Sequence, residues 1–105
     1  MTEYEGPMGS ITEEFELLER HICILKTVHA NQPIGLIRLS EMTGIPKHKV
    51  RYSLKILEKE GIIMATQDGA VTTEKFREFM DSTTEYVIGL HDRVEILLKI
   101  LEEMD

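Results

Sequence analysis

The sequence predicts a mainly α-helical fold with a small β-hairpin, followed by a long C-terminal helix. Three observations predict it. The stretch LSEMTGIPKHKVRYSLKIL, 39–57, has the layout of two short helices about a tight turn. The segment IIMATQDGAVTT, 62–73, sets two alternating or β-branched runs around Asp68-Gly69, a two-residue hairpin signal. From Phe76 through Met80, Thr83, Val87, Leu90, Val94, Leu97 and Leu101 to Met104, residues recur alternately four and three apart. That spacing is an unbroken heptad series.

The elements follow in order. Residues 1–10, acidic with Gly and Pro, read as a flexible N-terminal tail. A first helix is expected from about Thr12 to Ala30, capped by Ser10 or Thr12, with Glu13 and Glu14 complementing its dipole. Its stripe is Ile11, Phe15, Leu18, Ile22 and Leu25, widened by Leu17, Ile24 and Val28, so burial on more than one side is expected. Asn31-Gln32-Pro33 breaks this helix. Ile34 to Leu36 reads as a short strand or as the lead into a second helix, Leu36 to Thr43.

Gly44 is placed to end the second helix in a left-handed conformation, which glycine adopts without a Cβ penalty. Pro46 opens a third helix, where its missing N–H costs nothing, and that helix stops at Gly61. Leu39, Ile45, Val50 and Leu54 supply the core contacts, and Ser40 is small where the two helices press together. The hairpin then forms a wing.

In the C-terminal heptads, Met80, Val87, Val94 and Leu101 take position a, with Leu90 and Leu97 at d. β-Branched a with Leu at d suits a two-stranded parallel coiled coil. Phe79, Tyr86, Ile88, Ile96, Leu98 and Ile100 add apolar surface beyond a narrow seam, so packing against both its own domain and a second chain is expected. Ser82-x-x-Glu85 resembles a capping box and predicts a break near Asp81. The expected division is a tail (1–10), a winged helix-turn-helix domain (11–73) and a dimerisation helix (74–105).

Composition bounds the function. The chain has 105 residues, 42% hydrophobic and 30% charged, which describes one globular domain. No apolar run approaches the roughly 20 residues of a membrane span. A single cysteine, Cys23, excludes an internal disulfide, and a reducing cytoplasm is the expected compartment. The net charge of −7 is unevenly spread. Residues 31–60 carry six bases and three acids, whereas the segments on either side are acidic. An acidic body with one basic face can engage DNA in a single orientation, with weak non-specific affinity.

The order helix, helix, turn, basic helix, hairpin, long helix resembles the winged helix-turn-helix of prokaryotic transcriptional regulators. TGIPKHKVRYSLKILEKEGII, 43–63, is similar to the recognition-helix region of the MarR, ArsR and IclR groups, with their Leu-x-x-Leu-x-x-x-Gly-hydrophobic ending at Leu54 to Ile62. VTTEKFREF resembles the step that follows the wing in MarR-like proteins. The resemblance covers about residues 12–80 and implies DNA binding by a transcriptional regulator. Two departures stand out. The wing has no Lys or Arg and carries Asp68 near its tip, and the longer chain that holds an effector pocket in MarR-like proteins is missing.

The expected partner is double-stranded DNA, read by a homodimer, with an unidentified effector or protein partner left open. Lys47, His48, Lys49, Arg51 and Tyr52 are the candidate reading positions; Lys55 and Arg38 are expected to reach the backbone. The expected dimer interface is Val87, Leu90, Val94, Leu97, Leu101 and Met104. The alternative is a winged-helix protein-interaction module without DNA binding. No nucleophile–base pair, phosphate loop or paired-carboxylate motif occurs, so neither enzymatic activity nor a cofactor is expected. Among His21, Cys23, His29 and His91 no metal-ligand spacing appears, and Cys23, between Ile22 and Ile24, is expected to be a buried, inert thiol.

Overall fold

The computed structural model describes residues 11–105. The expected tail and the Ser10 cap lie outside the described residues. The elements are α1 (Thr12–Asn31), α2 (Leu36–Thr43), α3 (Lys47–Lys59), β1 (Ile63–Thr66), β2 (Gly69–Thr72) and α4 (Phe76–Glu103). The fold is mainly helical with one antiparallel hairpin, in a winged-helix-like arrangement. The chain divides into two compact units, one ending at Thr73 and the other spanning 74–105.

The core of the first unit is where the three short helices meet. Ile24, Leu25 and Val28 of α1, Leu39 of α2, and Val50 and Leu57 of α3 are buried, with Ile34, Ile62 and Ile63 closing the wing side. Each such side chain stabilises the fold by roughly 1.5–3 kcal/mol through its removal from water. Burial in α1 is narrower than its sequence stripe predicts. Phe15, Leu18 and Ile22 are half-buried, and Ile11, the N-cap residue, is exposed and its side chain makes no capping hydrogen bond. Only the C-terminal turns of α1 hold fully buried positions, because α1 meets α2, α3 and β2 in this unit.

The turn between α2 and α3 is held by three polar contacts. Gly44, at φ 73°, donates its N–H to the Ser40 carbonyl at 2.9 Å. The Ser40 hydroxyl donates to the Ile45 carbonyl at 2.7 Å, and the Ile45 N–H donates to Thr43 Oγ1 at 3.2 Å. Ser40 thus ties the turn together as well as being small. Pro46 is the N-cap of α3, one position before its first helical residue. Leu54 is only half-buried; Ser53 takes the fully buried place between Val50 and Leu57. The helix closes with Ile62 N–H donating to the Leu57 carbonyl and Gly61 N–H to Glu58, a Schellman pattern.

The wing turns one residue earlier than Asp68-Gly69 suggests. Thr66 pairs with Gly69, so Gln67 and Asp68 form the loop and Gly69 opens β2. Gly69 has φ 130°, and a Cβ there would stand 2.5 Å from the carbonyl carbon of Ile34. The glycine serves that close approach. Ile34 and Ala70 exchange backbone hydrogen bonds of 3.2 and 2.8 Å, so Ile34 adds a one-residue strand beside β2 while Leu36 starts α2.

α4 starts at Phe76, because Thr73 is tied to the end of the wing: its N–H and hydroxyl donate to Ile62, and the hydroxyl also to Gly61. The predicted break near Asp81 does not occur. Ser82 donates back to the Glu78 carbonyl and Thr84 to Met80, so both hydroxyls are satisfied within a continuous helix. No helix among the described residues is long and apolar enough to cross a membrane.

Candidate nucleic-acid interface

All seven candidate DNA-contacting residues, Arg38 on α2 and Lys47, His48, Lys49, Arg51, Tyr52 and Lys55 on α3, are exposed. They do not share one face. At about 100° per residue, Arg51, Lys55, His48 and Tyr52 fall in a roughly 100° arc opposite Val50 and Leu57. Lys47 and Lys49 lie on opposite flanks of that arc. Lys59, four residues after Lys55 and exposed, belongs to the central arc and was missed by the sequence reading, although its i+4 spacing from Lys55 was visible. The outward arc of α3 therefore carries three permanent cations, an imidazole and a phenol.

Tyr52 is 47% exposed, and its ring centroid lies 5.9 Å from that of His21 on α1. His21 Nδ1 and Ser53 Oγ share a hydrogen bond of 2.8 Å. This small cluster pins α3 to α1 at the step between its buried and outward faces. Burial, aided by the neighbouring Arg20 charge, holds the His21 imidazole below its ordinary value of 6.5 and so favours the neutral ring. The sequence reading weighed His21 only as a metal ligand; the buried serine opposite it is set by tertiary packing.

The wing presents no cation. Gln67 and Asp68 sit at its exposed tip, and Thr66 Oγ1 accepts from the Asp68 N–H and donates to the Gly69 carbonyl. Gln32 Oε1 accepts from the Thr72 N–H at 2.8 Å and joins the wing to the end of α1. A wing held in this way by backbone and side-chain hydrogen bonds offers a phosphate no cationic side chain.

Cys23 is exposed, contrary to the expectation of a buried thiol. Its sequence neighbours Ile22 and Ile24 are about 100° away on the helix, and it projects opposite Leu25. On α4, His91 lies 3.9 Å from the Asp92 carboxylate and 3.7 Å from Glu95, all three exposed. The i,i+4 proximity of His91 and Glu95 is ordinary on a solvated helix.

In the second unit, none of the residues of α4 is buried. Of the six expected interface residues, Leu90 is half-buried and the other five are exposed, from 44% at Val87 to 77% at Met104. The six fall within about 100° of one another on the helix.

Compared with known proteins, the chain matches no family model. No curated protein matches it either. The chain is similar in fold to the activation domain of the phage T4 transcription factor MotA. That match has a TM-score of 0.57 at 20% identity and covers 83% of this chain and 93% of the other. At that identity the likeness shows the fold alone. It does not extend to membership of the MarR, ArsR or IclR groups.

Proposed function

We propose that this protein is a sequence-specific DNA-binding transcriptional regulator that acts as a homodimer, with α3 as the reading helix and α4 as the dimer element. One observation carries the reading. In a chain of net charge −7, the cations Arg51, Lys55 and Lys59 gather on the single outward arc of the second helix of a helix-turn-helix. The first turn of α3, with Lys47 and His48, reaches toward base edges; Arg51 contacts a guanine or a phosphate; Lys55, Lys59 and Arg38 contact the backbone. The protein works in the cytoplasm, without a cofactor, and performs no catalysis.

A second reading is supported by the name of the structural neighbour, an activation domain. In it the same fold docks another protein and DNA is bound by neither α3 nor the wing. Fluorescence anisotropy on DNA selected from random sequence separates the two. The DNA reading expects affinity that falls steeply with salt and is lost in a combined Lys47, Lys49 and Arg51 alanine variant. Unchanged binding in that variant, or no selectable sequence, transfers the proposal to protein docking.

A further inference from the structure

The apolar stripe of α4 has the pattern to say how two copies meet. With Tyr86 and Leu98 at its edges, the stripe centred on Val94 is an open apolar face, from 44% exposed at Val87 to 77% at Met104, of the kind a second copy covers. The pattern within it is directional. Val87 and Val94 occupy a and Leu90 and Leu97 occupy d, the arrangement that packs each residue against itself in a parallel pair.

The flanking positions point the same way. In a parallel pair, position g faces the e position five residues further along the other helix. Tyr86 then lies beside the partner subunit's His91, and Arg93 beside the partner subunit's Leu98. No like charges meet. The antiparallel alignment that sets Met80 against the partner subunit's Met104 leaves Phe76 without an opposing layer and brings Arg93 against the partner subunit's Arg93. Shifting that alignment by one heptad removes the clash, but one direction strips Phe76, Met80 and Thr83 of an opposing layer and the other strips Met104, whereas the parallel pair keeps every layer from Phe76 to Met104. Like charges in direct contact and lost apolar layers both cost stability.

We infer that the two α4 helices pair parallel and in register, so that both helix-turn-helix units attach to the same end of the coil. This rests on the dimer reading above.

Leu101→Cys in a Cys23→Ser background tests the pairing, the second change being needed because Cys23 is itself an exposed free thiol. Oxidation of the full-length variant with diamide is expected to give a disulfide-linked dimer, because only a parallel, in-register pair sets position 101 opposite itself. In each of these antiparallel alignments the two positions are about 16 Å or more apart along the axis, too far for a disulfide. Sedimentation on the same sample separates the failures. A dimer that does not cross-link overturns the parallel arrangement and leaves the dimer standing; a monomer overturns both.

Discussion

Gly69→Ala tests the packing of the wing against the strand at Ile34. Two costs add. The backbone at φ 130° lies where an L side chain is strained, which costs about 1–3 kcal/mol. The new Cβ would stand 2.5 to 2.8 Å from three backbone atoms of Ile34, so one of the two segments must move. That movement puts at risk the paired hydrogen bonds between Ile34 and Ala70, 3.2 and 2.8 Å long, at about 1 kcal/mol each. The sum is about 3–5 kcal/mol, a large part of the roughly 5–15 kcal/mol that holds a domain together. Gly44→Ala is the comparison. Gly44 also has positive φ, 73°, but nothing lies within 4 Å of its would-be Cβ, so only the conformational cost of about 1–2 kcal/mol applies. Urea unfolding followed by far-ultraviolet circular dichroism measures both variants. Equal losses at the two glycines would refute the claim that Ile34 crowds Gly69.

Four further outcomes follow. Arg51→Ala leaves the fold intact and weakens DNA binding; a base contact costs about 1–3 kcal/mol and relaxes one operator position, whereas a phosphate contact lowers the salt slope by about one, both read by anisotropy. Leu97→Asp places a charge in the α4 stripe, where Leu97 is 61% exposed in the single chain; sedimentation is expected to show monomer, and a persisting dimer rejects α4 as the interface. Because His21 titrates below 6.5 in the fold, the unfolded chain binds its proton first; stability from this group is complete above pH 6.5 and is lost as pH falls from there toward the folded value. Urea midpoints between pH 7.5 and 5.5 should therefore fall more steeply in the wild type than in His21→Gln, and parallel slopes contradict the burial of the neutral ring. Cys23, being exposed, should react with a thiol reagent in the native protein as fast as in urea-unfolded chain to within about tenfold, and strong native protection would restore the buried reading.

The elements were legible in the sequence where local chemistry sets them. Gly44 and Pro46 mark the end of one helix and the start of the next, because glycine takes the left-handed C-cap without a Cβ penalty and proline, fixed in φ and lacking an N–H, belongs at a helix start. Leu39 and Val50, two of the apolar positions expected to supply the helix-turn-helix core, are buried. The outward position of Arg51, Tyr52 and Lys55 follows from the same periodicity, so the exposure of the candidate site could be read before its geometry. The one misjudged boundary within α4 shows the limit of local signals. Ser82 and Glu85 spell a capping box, yet inside a helix the Ser82 hydroxyl bonds back to Glu78 with no need of a break.

What tertiary structure alone decided concerns pairs far apart in sequence. Ser53 is buried because His21, 32 residues away, supplies its hydrogen bond; the serine by itself reads as surface. Gly69 is required by the approach of Ile34 from the other side of the helix-turn-helix, whereas the local pattern attributes it to the turn. Cys23 sits between two isoleucines in sequence and on the opposite face in space, and only the placement of α2 and α3 selects which side of α1 is covered. Periodicity specifies which residues share a face, but a face becomes core only when another element lies against it, and that choice is made by contacts the local sequence does not contain.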